Sequence, residues 1–288
     1  MEKEKIFDLL ENSDRLPKLS KDVSEILEML KNPVGFDIDE LIEKIYKVDN
    51  LNELMLKNLN SGYFQTNKKF ETIKESIVYF GMQAVQNFII FFITLQLFSH
   101  DSSTNKSNRT FTMSHYWNHV LGTSVASCML SAKIKYGDKY KLFSYGLIHD
   151  IGIAVLDTCL PELIDEVTEK LKNGMHQIVA ERLVLGGLTH ADIGGWVCRK
   201  WNIRDDITNI VEHHHTPFLA KLNPVEMKLL YLADAISTEY YEKLLGVNLN
   251  HGISTKIMDS LGITQSDMNS AIEALPGEIQ KLRNYLTV

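Results

Sequence analysis

Tyr145-Gly146-Leu147-Ile148-His149-Asp150-Ile151-Gly152 sets an imidazole and a carboxylate side by side in an otherwise apolar run. Neither group is buried cheaply without a partner. The pair is therefore either satisfied by local hydrogen bonds or holding a metal ion. Leu142, Tyr145, Gly146 and His149 recur at helical spacing, with Asp150 at or near the helix end. A reactive pair on the inward face of a helix directs attention to what the neighbouring helices carry.

Upstream, a helix over about 114–135 carries Trp117, Val120, Leu121, Ser124, Val125 and Cys128 in one stripe. His119 lies on an adjoining stripe with Thr123, Ala126 and Ser127, small residues that let another helix come close, so His119 is expected to point inward. Downstream, His190, Ile193, Gly194, Val197 and Trp201 form one stripe, and Ile207, Ile210, Val211 and His214 another. Pro161 suits a first helical position and Gly174 a terminus. Pro224 opens a long helix containing Asp234, and the tail from Ile253 reads as two short helices interrupted near Leu261-Gly262.

The first ninety-odd residues repeat the pattern without reactive side chains. Ser20 is the expected N-cap of a helix bearing Val23, Ile26, Leu27 and Leu30, stopped by Asn32-Pro33. Asp37 with Glu40 resembles a capping box before Ile38, Leu41, Ile42 and Ile45. Leu51, Leu54, Met55 and Leu59 make a third stripe, broken at Ser61-Gly62, and Thr72 with Glu75 opens a fourth with Ile73, Ile77 and Phe80. An apolar helix then runs from Gly81 through Phe98. Eleven polar residues, 99–109, cannot join a core and read as a linker. No hairpin signal occurs. The expected fold is all-α in two helical lobes: residues 1–98, a polar linker over 99–112, and 113–288, which includes the C-terminal helices.

The totals narrow the function. With 30 Lys and Arg against 37 Asp and Glu, the net charge is −7, which argues against unspecific binding to nucleic acid or anionic membranes. The charged start Met1-Glu2-Lys3-Glu4-Lys5 is unlike a secretion signal. The longest uninterrupted apolar run, Phe88 to Ile93, falls far short of the ~20 residues of a span. Cys128, Cys159 and Cys198 are odd in number and form no CxxC, as expected of reduced core thiols in a cytoplasm. Apolar residues at 44% can build a real core.

A lone His on an apolar stripe is usually a satisfied core residue. His149, His190 and His214 on three helices, with Asp150 adjacent and a second His beside His214, are harder to read so. Mixed imidazole and carboxylate donors suit one or two ions of Fe, Mn, Zn, Ni or Co better than Mg or Ca, and Asp150 can bridge two. Neighbours on a helix point about 100° apart. His214 and His215 are therefore the pair expected to face a site, and His213 is expected to be exposed. Asp234 has a plainer reading as a hydrogen-bonding helix residue. His100, His115, His176 and His251 belong to no stripe or motif visible in the sequence and are expected at the surface.

These residues resemble the HD superfamily of metal-dependent phosphohydrolases, whose skeleton is His, then His-Asp, then a distal Asp. His119, His149-Asp150 and Asp234 match it in order, and His190, His214 and His215 are similar to the additional set of HD-GYP cyclic-dinucleotide phosphodiesterases. The closer resemblance is to the HDOD family, the HD-related output domain of bacterial signalling. It runs from about Leu16 to Asp234 through Leu16-Pro17-x-Leu19, Asn60-Ser61-Gly62-Tyr63, Ser76-Ile77-x-x-Phe80-Gly81, Trp117-Asn118-His119, His149-Asp150-Ile151-Gly152, His190-Ala191-x-x-Gly194, Trp201-Asn202-Ile203 and His214-His215-x-Pro217. It implies a metal shell of His119, His149, Asp150, His190, His214, His215 and Asp234.

Two departures bear on activity. The Lys that often follows His-Asp-Ile-Gly in HD hydrolases is Ile153, and Thr216-Pro217-Phe218 replaces the Gly-Tyr-Pro signature. The resemblance therefore implies a signalling or regulatory module, with a protein partner or small-molecule ligand, in preference to its alternative, a phosphohydrolase acting on a nucleotide or cyclic dinucleotide. Arg199, Lys200 and Arg204 are candidates to replace the missing Lys, though an ordinary solvated face is the expected reading. A basic pocket beside the metal would favour the enzyme, and a packed or apolar mouth the regulatory module.

Overall fold

A computed structural model describes residues 2–31, 37–60, 68–99, 109–136, 138–244 and 253–283 of the chain. The first half of these forms α1 (Lys3–Glu11), α2 (Lys21–Lys31), α3 (Ile38–Lys47), α4 (Leu51–Leu59), α5 (Ile73–Phe80) and α6 (Met82–Ser99). After the polar segment come α7 (Met113–Lys133), α8 (Lys139–Ile148), α9 (Ile151–Cys159), α10 (Pro161–Lys172), α11 (Gln177–Val184), α12 (His190–Lys200) and α13 (Asp205–His213). A 3-10 turn at Pro217–Leu219 leads to α14 (Pro224–Leu244), α15 (Thr255–Leu261) and α16 (Gln265–Arg283). No strand occurs among the described residues, so the all-α expectation holds. Residues 100–108 of the expected linker, the Asn32-Pro33 stop and the Ser61-Gly62 break lie outside the described residues.

Local chemistry places the helix starts. The Val23 N–H donates to Ser20 Oγ at 3.2 Å, and the Glu75 N–H to Thr72 Oγ1 at 3.2 Å. Asp37 caps α3 through the Asp39 N–H at 2.8 Å, where the sequence had paired it with Glu40. A complete capping box does form at Thr189 and Asp192, ahead of α12. Gly262 ends α15 in the left-handed region at φ 66°. The last helix is longer than expected, 19 residues, and carries Pro276 inside it.

One contiguous apolar cluster runs from Ile6 to Ile279 through both halves. Its centre is α6, which buries Val85, Phe88, Ile89, Ile90, Phe91, Phe92 and Ile93. A helix apolar all round belongs in a core, and α6 packs on α4, α5, α8 and α9. Residues 139–159 are apolar enough by composition to cross a membrane but are mostly buried in the fold, split into α8 and α9 around Asp150. At the end of the polar run, Arg109 binds Asp157 of α9 at 2.5 Å and Asp165 of α10 at 2.6 Å. The N–H groups of Thr110 and Phe111 donate to the same Asp165.

For the site, the key pairs are α7 with α14, α9 with α12, and α12 with α13. The small residues around His119 do admit another helix: α14. A Cβ on Gly122 would fall 2.4 Å from Ser237 Oγ, and Ser237 donates to the His119 carbonyl at 2.9 Å. One turn back along α14 from Ser237 is Asp234.

Candidate metal centre

Only two residues, in a turn, separate α8 from α9, and they are the His-Asp pair. His149 closes α8 in helical conformation (φ −54°), and Asp150 precedes α9 at φ −99°. Both side chains then face the same space. That space is closed by His119 of α7, His190 at the first position of α12, His214 and His215 at the end of α13, and Asp234 of α14. All seven residues expected from the sequence are thus brought together.

The donor atoms form two overlapping groups. His119, His149 and Asp150 make one, and Asp150, His190, His214 and His215 the other, with the donors of each group within 4.8 Å of one another. Asp150 belongs to both. Its Oδ1 lies 3.4 Å from His149 Nε2, 3.2 Å from His190 Nε2 and 3.2 Å from His214 Nε2, while Oδ2 is 3.4 Å from His119 Nε2. Asp234 joins the first group at 3.1 Å from His119 Nε2 and meets the second through His215 Nδ1 at 3.4 Å. His190 Nε2 is 3.1 Å from His214 Nε2 and 3.0 Å from His215 Nε2.

The far nitrogens explain why these faces point inward. His149 Nδ1 lies 2.8 Å from the Gly146 carbonyl, and His214 Nδ1 2.8 Å from the Val211 carbonyl. A carbonyl only accepts, so Nδ1 carries the proton and Nε2 is left to face the site. His190 Nδ1 has a stronger partner, Glu181 Oε1 at 2.6 Å.

The electrostatics are those of ligands crowded together. Burial, reinforced by His214 and His119, pushes the His149 imidazole down to about 4. Burial and His214 hold His215 well below the usual histidine range. For His190, burial acts downward, but Glu181 and Asp150 outweigh it and raise the group well above that range. For His119 the burial cost is likewise overcome by Asp234 and Asp150. Burial acts upward on Asp150 and Asp234, yet the surrounding imidazoles hold both below the usual carboxylate range.

Two atoms test whether this set fits a metal. His149 Nε2 and Asp150 Oδ1, both buried, have no hydrogen-bond partner. Buried polar atoms are nearly always paired, and each exception calls for a cause. Nitrogen lone pairs about 3 Å apart around one carboxylate are satisfied together by a cation. The mixed imidazole and carboxylate donors fit a transition ion.

The mouth is a cavity of about 170 Å³ lined by His176, Gln177, Ile178, His215, Tyr231, Asp234, Ala235, Thr238 and Ile253. No Lys or Arg is among these lining residues. Ile153, at the position of the expected Lys, is buried in the apolar core. Arg199 pairs with Glu212, and Lys200 with Glu11 at 2.5 Å. Arg204 departs from the solvated face expected of it: it is buried, bound to Asp206 at 2.5 Å and to Gln86 Oε1 at 2.8 Å.

His176 is exposed, as expected, and also lines the mouth, a position that no sequence pattern marks. His213 is half-buried, where exposure was expected, and joins neither donor group. His115 is exposed as expected, and His100 and His251 lie outside the described residues. Cys159 and Cys198 are buried thiols, and Cys128 is half-buried. Two contributors went unread altogether: Glu181 behind His190, and Tyr116, whose hydroxyl is held far above its ordinary pKa by burial and then by Asp150.

The HDOD domain family model matches residues 16–217. The chain belongs to the HDOD family. The match ends before Asp234, which the fold nevertheless returns to His119. An uncharacterized protein of Treponema pallidum (strain Nichols) is 24% identical over 213 residues, 70% of this chain, and the matched region is 38% of that protein's length. Among solved structures, an HDOD domain protein of unknown function from Geobacter sulfurreducens has a TM-score of 0.68 at 18% identity, covering 98% of this chain and 95% of its own. A Shewanella amazonensis protein provisionally named a metal-dependent phosphohydrolase has a TM-score of 0.61 at 16% identity, covering 99% and 96%. A Marinobacter aquaeolei protein provisionally named a signal transduction protein has a TM-score of 0.69 at 14% identity, covering 98% and 64%. At these identities the shared feature is the HDOD fold.

Proposed function

We propose that this HDOD chain is a regulatory signalling module built around a His/Asp centre that holds one or two divalent transition ions and turns over phosphoesters poorly or not at all. The observation that carries the reading is the mouth of the centre. Phosphoryl transfer needs charge-stabilising donors around the phosphate as well as the metals, and losing one well-placed donor costs roughly 10²–10³ in rate. The described lining offers imidazole, amide, hydroxyl, carboxylate and apolar groups, with no Lys or Arg. Arg199, Lys200 and Arg204 are each engaged by a carboxylate outside the cavity lining.

In this reading His119, His149, Asp150 and Asp234 hold one ion, and Asp150, His190, His214 and His215 the other. A bound ion of the Fe, Mn, Zn, Ni or Co class would supply Lewis acidity there. The chain's own part is to keep five Nε2 or Nδ1 donors and two ionised carboxylates aimed at one space. A signalling protein or a small ligand admitted through the His176–Tyr231 side would read its state.

The alternative, a phosphohydrolase, has one specific support: Asp150 is shared by both donor groups, the arrangement with which two ions clamp a phosphate. The deciding test is protein loaded separately with Mn²⁺, Fe²⁺ and Ni²⁺, assayed on nucleotides, cyclic dinucleotides and generic phosphoesters. The regulatory reading predicts turnover no higher in the loaded wild type than in Asp150→Ala. Robust turnover that vanishes in Asp150→Ala would promote the enzyme.

A further inference from the structure

Glu181 is a fully buried carboxylate on α11, the short helix that precedes the α12 ligand. Two of its three side-chain contacts go to His190. Oε1 lies 2.6 Å from His190 Nδ1 and accepts from Gln177 Nε2 at 2.9 Å, and Oε2 accepts the His190 backbone N–H at 3.0 Å. A buried carboxylate is costly unless such partners compensate it. Across the ring, His190 Nε2 faces Asp150, His214 and His215 at 3.0 to 3.2 Å. Gripping both the ring and the backbone of His190 fixes where Nε2 points and keeps the ring proton on Nδ1.

The two donor groups are unequal in this respect. The rings of His149 and His214 are oriented by neutral carbonyls, of Gly146 and Val211. Only among these three is His190 backed by an ionisable carboxylate. We infer that Glu181 is a positioning residue for the metal centre, needed to fill the half formed by Asp150, His190, His214 and His215 and dispensable for the half that His119, His149 and Asp234 form with the shared Asp150. The inference rests on the metal-centre reading above. It goes beyond it by assigning Glu181, outside the seven expected ligands, to one half alone. An outer carboxylate raises the basicity of its histidine, and losing one typically costs ~10–100-fold in metal affinity.

A plainer role would be an ion pair gluing α11 to α12. The two roles differ in what they move. The test is stepwise Zn²⁺ titration of metal-stripped full-length protein against a chromophoric chelator, giving stoichiometry and each dissociation constant, on wild type, Glu181→Gln and Glu181→Asp. Thermal melts of the same metal-free samples run in parallel. The expected result is a single step weakened ~10–100-fold in Glu181→Gln, the other step unchanged. In a His215→Ala background, where that half is already broken, Glu181→Gln should change nothing further. Glu181→Asp, whose carboxylate is one methylene short, should fall between. Two Zn²⁺ steps identical in wild type and Glu181→Gln, with a lower melting temperature alone, would overturn the positioning role and leave the metal centre standing. Wild type that binds no Zn²⁺ would overturn the centre and the inference together. If Glu181→Gln does not fold, the titration of Glu181→Asp decides between the same outcomes.

Discussion

Gly152→Ala is the sharpest single perturbation of the fold that builds the centre. A Cβ at residue 152 would lie 1.9 Å from the His190 carbonyl oxygen and 2.8 Å from the Gly194 nitrogen. Both obstacles are backbone, so no side chain can rotate away. Ordinary carbon contacts begin near about 3.5 Å, which requires α9 and α12 to part by roughly 1.5 Å. Overpacking a core costs about 1–3 kcal/mol where side chains relax, and the backbone contact puts this case at the upper end, near 3. For a chain of 288 residues, an unfolding entropy of about 2.1 cal/mol/K per residue gives roughly 0.6 kcal/mol/K, hence a fall in melting temperature of about 5 °C. The same parting acts on the 3.2 Å spacing of Asp150 and His190, so metal content should fall with it. Calorimetry and elemental analysis of one preparation read both effects. Gly152→Ala melting within about 1 °C of wild type and carrying wild-type metal would refute the close-packing argument.

Other consequences follow from named contacts. Arg109→Ala removes the cation shared by the mostly buried Asp157 and Asp165. It should cost about 2–3 kcal/mol, below the full penalty for breaking a buried pair because the groups are partly exposed, measured by urea denaturation. Asp150→Ala should strip metal from both halves, since it is the residue they share, and elemental analysis showing unchanged content would count against it as a ligand. The His149 imidazole, at about 4 when folded, lies below the ~6.5 of an unfolded histidine. Between these values the unfolded chain binds more protons, so this group destabilises metal-free protein as pH falls from about 6.5 towards 4. Melting curves of metal-free His149→Gln should fall less steeply over that window, and an equal or steeper fall would contradict the assignment.

How much of this was legible beforehand depended on periodicity. The helices declared themselves because stripes such as Val23, Ile26, Leu27 and Leu30 are buried together, and caps such as Ser20 and Thr72 mark their starts. Small residues beside His119 announced the approach of α14, though not which helix would come. What stayed hidden was pairing between distant elements. Arg204 looked like surface charge because its partner Gln86 lies 118 positions away. Glu181 belongs to none of the motifs in the sequence. A signal existed, since Gln177, Ala180, Glu181 and Val184 share one face of α11 and the last three are buried, which places a carboxylate on an inward stripe. His176 has no stripe at all, because it caps α11 and is not part of its turns. Its place at the mouth is set by how α11 is carried to α14.

We propose that seven side chains from five helical segments form one metal centre sharing Asp150. Anomalous diffraction from crystals of the metal-loaded protein, recorded on either side of the absorption edge of the added ion, tests it most directly. The account predicts density for one or two ions in contact with Asp150, bounded by His119, His149 and Asp234 on one side and His190, His214 and His215 on the other. Fully loaded crystals with no anomalous density at Asp150, or with the ion bound elsewhere on the chain, would contradict it.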